Sequence, residues 1–245
     1  MRSGAGVVKI AAPNVIYPVI ASKVLESTLY PLSDNGEEVI FDEKEIAELI
    51  SNVKTVTFGM GIGTLDEALK ILEFLLSRFS GKLIVDADGL TLLSRISKEK
   101  IKNASCTLIL TPHIKEFSRM TGKDVDDLLN EPVALAEDYA KQNHVVLLLK
   151  GPSTIITDGN CTYFVDTGCA GMATAGSGDV LSGILSAVLA YSQDVLLGTA
   201  ASAYINGKAG ELAQESVGSV SMVSGDTVSS IKNVVSVLEG VNQSE

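Results

Sequence analysis

Thr167-Gly168-Cys169-Ala170-Gly171-Met172-Ala173-Thr174-Ala175-Gly176-Ser177-Gly178-Asp179 is the stretch on which the reading of this chain turns. Four of its thirteen positions are glycine and six more are Thr, Ser or Ala. An unbroken small-apolar run follows, from Val180-Leu181-Ser182-Gly183 to Ala190. A flexible loop that runs into a helix start leaves backbone N–H groups unpaired and converging, and the helix dipole adds positive potential at the same spot. Such a place suits an anion. A carboxylate beside a bound phosphate is costly unless it has a task, and Asp179 at the mouth has one available, the removal of a proton. The stretch therefore points to phosphate chemistry with a built-in base.

Outward from the loop, short β-branched runs alternate with longer amphipathic stretches. Residues 7–11, 55–58, 83–85, 107–110 and 145–149 read as buried strands, apolar on both faces as in a covered parallel sheet. Helical patterns lie between them. One spans 43–52 behind Asp42 as N-cap. A second, 66–79, sets Leu69, Leu72, Leu76 and Phe79 on one face. A third, 132–142, starts on a proline suited to the first turn. The strands 154–157 and 162–165 flank Asp158-Gly159-Asn160 and read as a β-hairpin. Helices are expected at 179–191, 194–213 and 226–240, with a frayed polar tail after them. The alternation predicts one α/β domain over 1–245, with helices on both faces of a mainly parallel sheet and a hairpin before the glycine loop.

Composition narrows the partners. The net charge of −11 argues against nucleic acid and acidic membranes. No apolar run reaches spanning length, and the first residues do not resemble a signal peptide. Three cysteines, Cys106, Cys161 and Cys169, have no paired spacing, and with His113 and His144 as the only histidines no zinc cluster can be argued. Buried, reduced thiols in a cytoplasmic protein are the expected reading.

In sheets of this kind ligands bind at the loops behind strand C-termini. Gly59-Met60-Gly61-Ile62-Gly63 follows the second strand and reads equally as a plain turn that needs positive φ. Asp86-Ala87-Asp88-Gly89 follows the third, where the acids suit a hydroxyl, a hydrated Mg²⁺ or, for Asp88, an N-cap. Thr111-Pro112-His113 follows the fourth and puts His113 on the same rim, whereas His144 falls on the opposite one. Lys150-Gly151-Pro152-Ser153-Thr154 follows the fifth, where a lysine and a hydroxyl can reach a phosphate.

Taken together and in this order, these motifs resemble the ribokinase-like superfamily, and more narrowly the ADP/ATP-dependent NAD(P)H-hydrate dehydratases. Ser3-Gly4-Ala5-Gly6-Val7-Val8 and 203–213 extend the resemblance over nearly the whole chain. It implies a three-layer α/β/α ribokinase-like fold and the repair of hydrated NADH or NADPH. In that chemistry a nucleotide, ADP the expected donor and ATP the alternative, phosphorylates the ring hydroxyl, and phosphate is then expelled. The resemblance assigns Asp179 as the base and the Ala175, Gly176, Ser177 and Gly178 amides as phosphate donors. It places Lys150, Gly151, Pro152, Ser153 and Thr154 on the nucleotide, and Gly61, His113 and Asp179 on the hydrated nicotinamide. Mg²⁺ is implied without an assignable ligand, and a homo-tetramer is the implied assembly. Cys169 stands where the family carries Asn, and Lys115 where it carries Gly. The family also begins with a further strand, a Gly/Ser-rich turn and a helix. This chain is expected to lack that N-terminal βα unit, with a less stable sheet as the consequence. A nucleotide-binding remnant without activity and a hydroxymethylpyrimidine- or hydroxyethylthiazole-type kinase are the alternatives.

Overall fold

The structure is a computed structural model that describes residues 1–240; the polar tail expected beyond them lies outside the described residues. Its first strand departs from the expectation of a buried strand at 7–11. β1 (Lys9–Pro13) pairs in parallel with β2 (Thr28–Leu32), and the two form a separate two-stranded sheet. The physical reason lies in the side chains. Only Ala12 of β1 is buried, Lys9 extends over the Tyr30 ring at 5.1 Å, and Pro13 ends the strand by removing a donor. The short helices α1 (Tyr17–Ala21) and α2 (Glu43–Ile50) complete this N-terminal part. Asp42 caps α2 as expected, accepting from the Lys44 and Glu45 amides.

The remaining strands form one sheet in the order β3 (Thr55–Phe58), β4 (Lys82–Val85), β5 (Thr107–Leu110), β6 (Val146–Leu149), β7 (Thr154–Thr157) and β8 (Thr162–Val165). β3 to β6 are parallel; β7 and β8 add the antiparallel hairpin. Side chains alternate across the sheet with strict period two. Leu83, Val85, Leu108, Leu110, Leu147 and Leu149 enter one core, and Ile84, Ile109, Val146 and Leu148 enter the other. Both faces are thus buried, which is why the strands read as unbroken apolar runs.

The first core is closed by α3 (Asp66–Arg78), α4 (Asp88–Leu93), α5 (Lys98–Lys102), α6 (Ile114–Thr121), α7 (Val125–Asn130) and α8 (Pro132–Asn143). α3 buries Leu72 and Leu76 with Ala68, Ile71 and Leu75. α8 starts on Pro132 and ends at His144, which caps it in the left-handed region at φ 55°. The second face carries α9 (Ser177–Tyr191), α10 (Val195–Val217) and α11 (Ser224–Leu238). α9 begins two residues before the expected start, because Gly176 at φ 84° turns the chain into the helix. Asp194 caps α10 through Leu197 N, and the helix runs on to Val217.

Polar bonds fix α9 against the sheet. Lys82 Nζ donates to Leu189 O at 2.6 Å and to Ser192 O, and Thr55 Oγ1 donates to Ser186 O at 3.0 Å. Nearer the other end, Ser182 Oγ donates to Asp86 Oδ2 at 3.3 Å. The thiols differ from expectation in part: Cys161 is exposed, and Cys106 and Cys169 are half-buried. Burial pushes the Cys106 thiol up to about 11, so it stays protonated and inert. No helix among the described residues is long and apolar enough to cross a membrane.

Candidate active site

Every strand of the parallel set ends at the same rim, and the loops there touch one another. Gly59 (φ 120°) crosses the turn behind β4 so closely that a Cβ would lie 2.0 Å from Asp86 O. Only glycine fits that crossing. Ala87 takes the strained pair φ 49°, ψ −122° in the facing turn. Asp88 is neither an N-cap nor a free acid: it lies in the first turn of α4, and its carboxylate accepts from Gly63 N at 2.9 Å. It thereby tethers the 59–63 loop that carries Gly61.

Lys150 is the centre of the charge arrangement. Its amide donates to Pro112 O at 2.8 Å, and a bridge joins His113 to Lys150. Its ammonium lies 2.9 Å from Asp86 Oδ1 and 3.9 Å from Glu116 Oε2. Asp86 is only 3% exposed and also accepts from Ala87 N and Ser182 Oγ. His113 caps α6: Nδ1 accepts from the Lys115 and Glu116 amides at 3.1 Å, while Glu116 returns a bond to His113 N at 2.8 Å. With Nδ1 as the acceptor, Nε2 of the same ring lies 3.6 Å from Glu116 Oε1.

Lys150, Gly151, Pro152 and Thr154 line one cleft of about 500 Å³ together with Ser177 and Gly178. The position of a Cβ on Gly178 would be 3.9 Å from Lys150 Nζ, so the helix start and the lysine meet. The Ser177 amide bonds to Thr174 O at 3.3 Å, and the first helical bond of the turn is Val180 N to Gly176 O at 3.1 Å. The Gly178 and Asp179 amides precede that bond and point out of the helix end. Ser153, Ala175 and Gly176 flank the cleft without lining it: Ala175 O accepts from Ser224 Oγ, and Gly176 is the N-cap. Gly61, His113 and Asp179 are on the rim outside the lining, and Asp179 and Lys115 are exposed.

Several contributors escaped the sequence reading. α10 supplies Ala203, Asn206 and Gly207 to the cleft wall. The same helix holds the glycine loop, with Glu211 Oε1 accepting from Gly168 N at 2.9 Å and Gln214 Oε1 from Gly171 N at 3.0 Å. The available signal was polar residues on the inner stripe of a helix otherwise built of Ala, Gly and Ser. Lys208 beside Glu211, with the Gly168 amide, holds the Glu211 carboxyl below its usual range. A depressed carboxyl supports the folded loop above its ordinary value near 4.5 and loses that support as pH falls through the lower folded value. Nucleotide affinity should therefore weaken on acidification in this window. Glu211→Gln should flatten that limb, and Glu211→Ala should cost about fivefold at neutral pH, the worth of one hydrogen bond. Titration calorimetry across pH checks both.

Among the described residues no three His, Cys, Asp or Glu side chains cluster to hold a metal. Mg²⁺ commonly rides on substrate phosphates with one or two carboxylates and water. The described residues therefore offer no cage for the ion.

A three-layer sheet whose glycine-rich loop, strand-end lysine and helix start converge on one cleft is the ribokinase-like architecture. It is shared with a ribokinase-like superfamily protein of Enterococcus faecalis at a TM-score of 0.78 and 20% identity, covering 99% of this chain and 80% of that one. The model of the NAD(P)H-hydrate dehydratase family matches residues 1–233, and the chain belongs to that family. An ADP-dependent (S)-NAD(P)H-hydrate dehydratase of Cenarchaeum symbiosum is 33% identical over 216 residues, 88% of this chain and 74% of that protein. The ADP/ATP-dependent dehydratase of Bacillus subtilis, co-crystallised with ATP and Mg²⁺, superposes at a TM-score of 0.80 with 24% identity, covering 96% of this chain and 80% of that one. The chain spans under half the length of the bifunctional NAD(P)H-hydrate repair enzymes that it also matches.

Proposed function

We propose that this chain returns hydrated NADH and NADPH to the intact dinucleotide, with ADP as the phosphoryl donor. The observation that supports the reading is the approach of Lys150 Nζ to the Gly178 position, 3.9 Å from a Cβ placed there, one residue before Asp179 and beside a cleft of about 500 Å³. The nucleotide occupies the cleft between the strand-end turn 150–154 and the start of α9. Lys150 turns from Asp86 toward the terminal phosphate, and the Gly178 and Asp179 amides, with the Ala175–Gly176 turn behind them, take up its negative charge.

Asp179 removes the proton of the ring hydroxyl as its oxygen attacks the terminal phosphorus. The bond from that phosphorus to the AMP oxygen breaks. Water alone leaves poorly as hydroxide; phosphate leaves well. Loss of phosphate and a ring proton restores the double bond, so hydrate and ADP give NAD(P)H, AMP and phosphate. Gly61 lets the ring approach the 59–63 backbone, and the exposed His113 ring borders it at the α6 start. Mg²⁺ bound to the phosphates supplies further charge neutralisation.

The test is direct. Purified protein mixed with the hydrate should restore the reduced-nicotinamide absorbance band only when ADP or ATP is added, with phosphate and AMP (from ADP) or ADP (from ATP) appearing in step. No recovery with either nucleotide would remove the reading. Accumulation of a stable phosphorylated product would make the protein a kinase instead.

A further inference from the structure

Asn206 Oδ1 is the one buried side-chain oxygen or nitrogen without a hydrogen-bond partner among the described residues. The residue is 8% exposed, and it lines the cleft. A buried acceptor left unpaired is costly, and native structures seldom keep one without a use. Its surroundings say what use. Asn206 lies on α10 between Ala203 and Gly207, and a Cβ on Gly207 would fall 2.2 Å from Thr167 Oγ1. Ala203 and Gly207, which carry little or no side chain, flank the Asn206 amide on the cleft wall. Leu181 and Met172 add apolar surface to the same cleft.

We infer that Asn206 reads the base of the bound nucleotide, its side-chain amide turned so that Oδ1 faces the cleft and accepts from the exocyclic amine of adenine. The inference rests on the nucleotide occupying this cleft as proposed above. An amide carries a donor next to an acceptor, and adenine offers the matching pair, an amino group beside a ring nitrogen. The neighbouring Nδ2 then donates to that ring nitrogen. A purine that lacks the 6-amino group leaves Oδ1 unpaired in the complex whichever way the amide is turned. A site built around such a donor rejects the analogue that lacks it.

Calorimetric binding of ADP and of purine riboside 5′-diphosphate, which differs only by the missing amine, separates the outcomes. The wild type should bind ADP about 10- to 100-fold more tightly than the analogue, the range for leaving one buried polar group unpaired. In Asn206→Ala the preference should shrink to about twofold, nearly all of the change being lost ADP affinity, as a coupled pair requires. Equal losses for both nucleotides would assign Asn206 a packing role and overturn the inference. So would a wild type that binds the analogue as tightly as ADP, a result that needs no folded variant. A coupled pair in binding together with no conversion of the hydrate to NAD(P)H would leave this inference standing and remove the proposed activity. A wild type that binds neither nucleotide would overturn both.

Discussion

Asp179→Asn should bind ADP at least as tightly as the wild type and turn over about 10²- to 10⁴-fold more slowly, the usual share of a positioned base. The structure separates the two effects. Asp179 lies in the first turn of α9 with its side chain exposed, outside the cleft lining, so its amide form leaves the cleft walls intact. Removing a negative charge beside a phosphate relieves repulsion, which favours the nucleotide. Stability should fall by no more than about 1 kcal/mol, the worth of an acid at a helix N-terminus. Steady-state rates, an ADP titration and a melting curve decide the matter. Unchanged turnover would remove Asp179 from the base role; lost binding would make it a structural residue.

Lys150→Met carries the second large effect, and it reaches beyond catalysis. The ammonium is 2.9 Å from Asp86, a carboxylate that is 3% exposed, and Glu116 is the next acid at 3.9 Å. Removing the cation strands a buried charge, a change that costs about 3 kcal/mol or more. For a domain of this size that is on the order of 6–12 °C in melting temperature. Turnover should be lost as well, because the terminal phosphate loses its cation. The double variant Lys150→Met with Asp86→Asn tells the two apart. It should recover most of the melting temperature, since the stranded carboxylate is gone, and none of the turnover. A single variant that melts like the wild type would mean that Asp86 is satisfied by its amide and hydroxyl partners alone.

The sheet was legible because its strands are buried on both faces, so that period and run length agree, and the Asp158-Gly159-Asn160 turn marked the hairpin. The exception was the first strand. Residues 7–11 look apolar in a window of five, yet none of them is buried, the strand begins only at Lys9, and that lysine lies over the Tyr30 ring. β2, with Pro31 inside it and one buried residue, gave no pattern to follow. On the cleft, the turn 150–154 and the glycine loop were readable because glycine and a lone lysine behind a strand are unusual in one place. Asp86 was visible as an acid, but its pairing with Lys150 joins residues 64 positions apart. Asn206 and Glu211 were hidden for a related reason. Each is one polar residue in a long small-residue helix, and only the packing of α10 against the loop shows which way it faces.

α9 behaves as a beam pinned at both ends. Lys82 holds the carbonyls at its far end, and Ser182 ties the near end to Asp86, so the first strand residue and the turn behind β4 together act as a ruler laid along the helix. The free amides at the start of α9 are therefore held in place by bonds to the sheet. The 168–175 segment is held from its outer side instead, by Glu211, Gln214 and the Gly210 carbonyl of α10 and by Ser224 of α11. The helix start thus answers to the sheet, and the glycine loop before it answers to the helices of one face, so that two separate sets of bonds fix the two walls of the cleft.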